Sequence, residues 1–278
     1  RYHLTLCDGA LELCVVKVRE GAEVIGKPFM SGFFSHGLYR VVAIKRGQTT
    51  IIPTGPDEIK ADDMVYAVCT RENMKVLREQ LGKQKKEIHN IIFFGGSKIA
   101  QKTAQNLPDD LNIKILEADR ELCYHLSEKV NNALIINADG SDMEVLKDEG
   151  IEDADAFVAV TDNSEANIFA CMAAKRFGVK KTIAEVENID YISMAEGLEI
   201  GTVLNKKTIA ASYIYQMLLD ASVLNVRNLT SADAEIVEFM AEENSRITRC
   251  KIRDMRLPKD ANIGAIVRAG EGILVNGD

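Results

Sequence analysis

The sequence predicts an α/β protein: a doubly wound parallel sheet flanked by two small α+β lobes, the second of them truncated. Three observations carry this. Strand and helix signals alternate from residue 91 to about 186. The first of those strands, Ile91-Ile92-Phe93-Phe94, runs through a small-residue turn, Gly95-Gly96-Ser97, into a helix. On either side lie stretches that repeat one another at a constant offset.

The central elements follow from periodicity. The spacing predicts a helix over 98–107 with Ile99, Thr103, Ala104 and Leu107 on one face. A strand over 113–117 leads to a helix carrying Leu122, Leu126 and Val130. Leu134-Ile135-Ile136-Asn137 is the third strand and ends at Asp139-Gly140, after which Ser141 and Glu144 read as a capping box. The strand Ala156–Val160 ends at Thr161-Asp162. A helix then runs to Phe177, closed by Lys175, Arg176 and Gly178. A fifth strand covers about 182–186. After it, Ile209, Tyr213, Ile214, Met217, Leu218 and Ala221 predict an amphipathic helix over about 207–224, read as an interface.

A strand–turn–helix of this kind aims backbone N–H groups and a helix N-terminus at a phosphate. Gly95 holds the first position of G-x-G-x-x-G, whereas Ser97 and Ala100 replace the second and third glycines. Alanine satisfies the close packing needed at the third. The Ser97 side chain occupies the phosphate's approach, although its hydroxyl is also a donor to it. Glu117 closes the next strand after Gly95 and stands where an acid binds a ribose hydroxyl. In a parallel sheet the crevice lies at the carboxyl ends of the strands. That gathers the turn 95–99, Glu117, Asp139, Thr161, Asp162 and Glu185 along one edge. A second reading stays open, in which the turn binds nothing and Asp139, Ser141 and Asp162 are helix caps.

Composition narrows the class. With 46% apolar and 27% charged residues the chain is ordinary globular material, long enough for two domains. A net charge of -8 argues against nucleic-acid binding. No apolar run approaches the roughly 18 residues of a membrane span, and nothing resembles an export signal. The opening at Arg1 reads as an excised fragment. The six cysteines form no C-x-x-C pair and read as buried free thiols in a reducing compartment, and the four histidines lack metal-ligand spacing.

In the flanks, Ala43-Ile44 matches Ala265-Ile266, Arg46 matches Arg268, Ile51 matches Ile273 and Gly55 matches Gly277. Upstream the reading pairs Val18 with Ile252, which puts an insertion containing Gly32–Gly37 in the first copy. Downstream the second copy stops before the counterpart of Glu58–Val68. The expected boundaries are 1–82 for the first small lobe, 88–205 for the sheet, 206–225 for the interface helix and 226–278 for the second lobe, with a charged linker at 82–87.

The segments Val42–Arg46, Ile51-Ile52-Pro53 and Ala61–Tyr66 resemble the C-terminal lobe of a regulator of potassium conductance (RCK) domain. Residues 91–186 resemble its Rossmann-like N-terminal lobe, through Asp139-Gly140, Ala154–Phe157 and Val160–Asn167. Leu257–Arg268 is similar to a second C-terminal lobe. The resemblance covers nearly the whole chain in the order C-lobe, N-lobe, partial C-lobe. It implies a nucleotide site for NAD(H), or for ADP or ATP, with Gly95, Gly96, Ser97, Lys98 and Ile99 at the phosphates and Glu117 on a ribose. Thr161, Asp162 and Glu185 would line the far side. It also implies a cytoplasmic protein, peripheral on the inner face of the cell membrane. As a dimer or tetrameric ring it would gate a membrane potassium-translocating subunit of the Trk/Ktr type. Lys98 is equally a phosphate partner or a solvated lysine. Two alternatives stand beside this gating module: a nicotinamide-dependent oxidoreductase, and an assembly lobe with a vestigial site. The crevice offers no nucleophile–base pair, and His125 sits mid-helix.

Overall fold

The computed structural model describes residues 2–47, 49–82, 87–198, 200–218, 223–229 and 232–275. They divide into two units, Arg1–Lys85 with Ser212–Asp278, and Lys86–Ala211. The linker positions 83–86, Ala221 of the expected interface helix and Gly277 of the repeat lie outside the described residues.

In the first unit, β1 (Tyr2–Leu6), β2 (Leu11–Lys17), β3 (Tyr39–Arg46), β4 (Thr49–Ile51) and β5 (Met64–Cys69) form an antiparallel sheet in the order β1-β2-β5-β3-β4. Helix α1 (Met74–Gln80) follows. Side chains alternate across a strand, and here both faces are buried, so β5 reads as a continuous apolar run and β2 is interrupted before its terminal Lys17 by the buried Glu12. Cys14, Val16, Val65, Ala67 and Cys69 pack with Leu77 and Leu81 on one face. Leu13, Val15, Tyr66 and Val68 form the core of the other. The connection 18–38 folds down as an aromatic cluster. The Phe29 and Phe34 rings lie 4.7 Å apart, Phe33 stands edge-on to Phe34 at 5.1 Å, and the Lys27 ammonium sits 3.7 Å over Phe33. Arg46 grips Asp63 with two bonds of 2.9 and 2.7 Å.

The second unit is the doubly wound sheet. Its elements are β6 (Asn90–Phe94), α2 (Lys98–Asn106), β7 (Asn112–Glu117), α3 (Arg120–Lys129), β8 (Leu134–Asn137) and α4 (Met143–Asp148). Then come β9 (Ala156–Ala159), α5 (Ser164–Arg176), β10 (Lys181–Glu185), α6 (Asp190–Gly197), β11 (Thr202–Leu204) and the start of α7 (Lys206–Leu218), which from Ser212 on is counted with the first unit. The strand order is β11-β10-β9-β6-β7-β8, all parallel. The order reverses at β6 and β9, which is the switch point where such sheets bind ligands. Three local expectations are corrected. Ala100, not Thr103, joins Ala104 on the buried face of α2, while Thr103 is exposed. The cap of α4 is Asp142, which accepts from Glu144 N, and Ser141 instead bonds to Asp139. A sixth strand, β11, extends the edge. Helix α7 leaves its apolar stripe uncovered: Tyr213 is 58% and Leu218 80% exposed.

The rest of the first unit is two hairpins, β12 (Val223–Asn228) with β13 (Glu235–Phe239) and β14 (Ala265–Arg268) with β15 (Glu271–Leu274). Their ends fall beyond those of β1, β2 and β3 by the same constant offset: Leu6 with Asn228, Lys17 with Phe239, Arg46 with Arg268. The insertion expected in the first copy is therefore absent. The spacing from Lys17 to Arg46 equals that from Phe239 to Arg268, and Ile252 lies in a 3-10 turn rather than opposite Val18. The two copies pack on each other. Leu229 enters the Leu13–Tyr66 core, with Ala232, Ile236, Ala265 and Leu274 packed against it. Equivalent positions meet: Arg40 Nη2 donates to Asn262 Oδ1 at 3.1 Å, and a Cβ on Gly264 would lie 2.8 Å from Val42 Cγ1. Such pairing marks a local two-fold between the copies.

Candidate functional site

The site begins at the end of β6. Gly95 has φ +97, and a Cβ there would stand 2.8 Å from Thr161 Cγ2. At Gly96 a Cβ would meet Leu126 Cδ1 at 2.3 Å and Glu117 Oε2 at 3.1 Å. These two positions, rather than 95 and 97, are where the fold demands glycine. The bare Gly96 backbone lets its N–H donate to Glu117 Oε2 at 2.6 Å, while Glu117 Oε1 accepts from Asp119 N at 2.8 Å. The carboxylate expected at the ribose is thus held directly over the turn. Ser97 departs from glycine because it is the N-cap of α2, its Oγ accepting from Ala100 N at 3.4 Å. Ala100 is fully buried against the sheet. The amides of Ser97, Lys98 and Ile99 make no hydrogen bond among the described residues, so the positive end of α2 is open to an anion. Lys98 is exposed beside it, and Ile99 packs into the core below.

The remaining expected residues divide. The loop after β8 reaches the end of β6, since a Cβ on Gly140 would lie 2.5 Å from the Phe94 ring. Asp139 Oδ1 accepts from both the amide and the hydroxyl of Ser141, at 2.9 and 2.7 Å, and these bonds hold its pKa below the ordinary carboxylate value. Thr161 lies against Gly95, with its amide and hydroxyl both bonded to Asn167 Oδ1; Asp162 is exposed beside it. Glu185 is 1% exposed, with Oε1 2.6 Å from Lys206 Nζ. It is an anchor inside the edge rather than a wall of the crevice, which corrects the expectation.

Three residues that sequence reasoning left unassigned hold this edge together. Asn167, fully buried, also donates to Thr161 O and Glu185 O, both at 2.9 Å. Asn205 donates to Val186 O and Glu187 O and accepts from Thr208 N as the cap of α7. Lys206 bridges Glu185 and Glu187, at 2.6 and 2.8 Å; those carboxylates push its pKa up, and it holds Glu187 below the ordinary value. The signal for Asn167 was present, an amide on the otherwise apolar face of Ile168, Cys171 and Ala174. A cavity of about 590 Å3 opens beyond β10, lined by Ser164, Glu187, Asn188, Ile189, Asp190 and Lys207. Among the described residues no group of three or more His, Cys, Asp or Glu is placed to hold a metal ion, and no helix is long and apolar enough to cross a membrane. Cys14, Cys69, Cys123 and Cys171 are buried free thiols, as expected, but Cys250 is exposed.

A dinucleotide-fold unit with its glycine turn and acid assembled, joined in one chain to two copies of a small β-rich lobe, defines an RCK-type architecture. Residues 91–206 match the TrkA-N domain and residues 13–82 the TrkA-C domain. The chain thus carries a TrkA-N and a TrkA-C domain match. It is 29% identical over 282 aligned residues to the Trk system potassium uptake protein TrkA of Halomonas elongata, covering 99% of this chain and 61% of that protein. The chain therefore spans about three fifths of that relative's length. Solved structures share the fold. The GsuK RCK domain superposes with a TM-score of 0.55 at 16% identity, over 78% of this chain and 47% of that one. The GsuK channel bound to NAD superposes with a TM-score of 0.53 at 15% identity, over 78% and 38%.

Proposed function

We propose that this chain is the nucleotide-sensing part of a cytoplasmic, membrane-peripheral regulatory subunit, which gates a potassium-translocating membrane protein of the Trk/Ktr type without catalytic turnover. The observation that carries this is the Glu117 carboxylate held on the Gly96 amide beside the open N-terminus of α2. The first recognises a ribose diol, the second a pyrophosphate. In this reading Gly95, Gly96, Ser97, Lys98 and Ile99 receive the phosphates, Asp139 and Thr161-Asp162 border the crevice, and Glu185 acts through Lys206. NAD(H) is the preferred ligand, with ADP or ATP as weaker occupants. The relative's name and the NAD-bound channel of the same fold support this assignment. The lobe boundaries 1–82, 88–205, 206–225 and 226–278 go with it.

Gating follows from the edge network. The Thr161 loop is tied through Asn167 to β10, and β10 through Asn205 and Lys206 to the start of α7. A ligand that presses on the loop therefore acts on that helix. Coupling of roughly 1–3 kcal/mol shifts a partner's affinity about 5–150-fold. The uncovered stripe of Tyr213, Met217 and Leu218 supports homo-oligomers, dimer or ring, joined through α7.

Calorimetric titration of NAD, NADH, ADP and ATP, with Glu117→Ala as control, tests the site. The wild type binds NAD, the variant at least tenfold more weakly, and NADP competes poorly because Glu117 repels a 2′-phosphate. Equal NADP binding refutes the ribose assignment. Hydrogen exchange of α7 that NAD leaves unchanged refutes the gating route. Steady turnover of the nicotinamide transfers the reading to an oxidoreductase. A monomer in light scattering at high concentration refutes the oligomer.

A further inference from the structure

The connection between β13 and β14 carries a charge that the rest of the molecule does not. From Arg246 to Lys259 there are six basic residues, Arg246, Arg249, Lys251, Arg253, Arg256 and Lys259, against the single acid Asp254. The stretch is +5 in a chain of -8, so everything outside it sums to -13. All six side chains are exposed. Arg246, Lys251, Arg256 and Lys259 meet no carboxylate within salt-bridge distance among the described residues.

The constant offset says what stands at the same places in the first copy. Arg246 corresponds to Val24, which is fully buried, and Lys251 and Arg256 correspond to Phe29 and Phe34 of the aromatic cluster. Positions that pack inward in one copy are cationic in the other. The second connection cannot fold onto its own lobe in the same way, because three charges would enter a core unpaired. It is a different surface at the same point of the fold. Between the cations stand Ile247, Ile252, Met255 and Leu257, with no aromatic residue from Met240 to Asn262. A run of cations with aliphatic side chains between them fits an anionic headgroup layer, with the aliphatic groups at its apolar boundary. Single-stranded nucleic acid would call for stacking platforms, which this stretch lacks.

We infer that residues 246–259 are a docking surface for an anionic lipid bilayer, holding this lobe against the inner membrane face. The inference rests on the membrane-peripheral reading above, yet lipid alone tests it, with neither nucleotide nor membrane protein present. The protein is floated with vesicles of phosphatidylcholine, alone or with about one third phosphatidylglycerol. Binding appears only with the anionic lipid and falls steeply as salt rises from about 50 to about 300 mM. Each surface cation contributes roughly fivefold to such affinity. Replacing Arg249, Lys251, Arg253 and Arg256 by serine therefore weakens binding more than tenfold, with the circular dichroism unchanged. Serine at Arg71, Lys75, Lys102 and Lys129 has far less effect. Absence of binding to anionic vesicles, or equal loss in the two variants, overturns the inference. So does tighter binding to DNA at the same salt, or a change of oligomeric state by the first variant without vesicle binding; the latter assigns the segment to the acidic surface of a second copy.

Discussion

The two copies of the small lobe share strand ends at a constant offset, yet use the chain between them differently. In the first, the connection 18–38 is folded down by Phe29, Phe33, Phe34 and Tyr39, and Arg46 is tied to the buried Asp63. In the second, the matching connection is exposed and basic, and Arg268, the counterpart of Arg46, is exposed. The comparison teaches that strand register survives when the residues that fill the space beside it do not. The hairpins need only alternate apolar positions, whereas each connection's path depends on what it has to bury.

The largest test of this contrast is at Asp63, whose side chain is 1% exposed and which also accepts from Lys60 N. Asp63→Ala leaves the Arg46 guanidinium without its carboxylate and should cost about 3 kcal/mol in denaturant unfolding. Arg268→Ala should stay within about 0.5 kcal/mol. Comparable losses from both would erase the difference between the copies.

Next comes their shared face. Gly264→Val would make the equivalent positions 42 and 264 both valine, and the Val42 contact predicts a loss of about 1–3 kcal/mol by overpacking. Val42→Ala in the same chain should return most of it. A double mutant no better than the single would mean that the copies do not meet there.

The smallest effect distinguishes the connections by pH. Burial holds the His36 imidazole below its ordinary pKa, whereas the matching residue in the second copy is Pro258. A base so depressed binds fewer protons in the folded chain than in the unfolded one. Its stabilising contribution is full above about pH 6.5 and is lost as the pH falls through that value toward the folded pKa. Thermal midpoints taken at pH 7.5 and 5.5 should show a drop that shrinks in His36→Gln. An unchanged drop would place the titrating group elsewhere.

Much of this was legible in the sequence, and the failures have physical causes. Strands β6 to β10 announced themselves because buried parallel strands are short apolar runs bounded by turns. Gly95 and Glu117 could be singled out because a glycine turn after one strand and an acid at the end of the next have a local spacing, and the structure brings the acid onto the turn. Gly96 was placed in the turn, but the reason it must be glycine was not legible, because that need comes from Leu126, which stands on a different helix. Asn205 and Lys206 bond to groups on other elements and no local pattern marks such partners, whereas Asn167 stood out only as an amide on an apolar helix face. Pairing Val18 with Ile252 failed because it trusted side-chain likeness where the copies had exchanged core for charge.

The unit built from both copies is discontinuous along the chain. Cys7 N bonds to Glu238 Oε2 across 231 positions, and Arg40 reaches Val275 across 235. The parallel-sheet unit between them is continuous, Lys86–Ala211. Contacts that span so much sequence form slowly because loop closure precedes any reward. Once the sheet has formed, the chain to be closed is effectively shorter. The expected order is that the parallel-sheet unit matures before the two copies find each other. Stopped-flow refolding of a chain weakened at β9, in the other unit, should then show the Leu13–Tyr66 core packing more slowly.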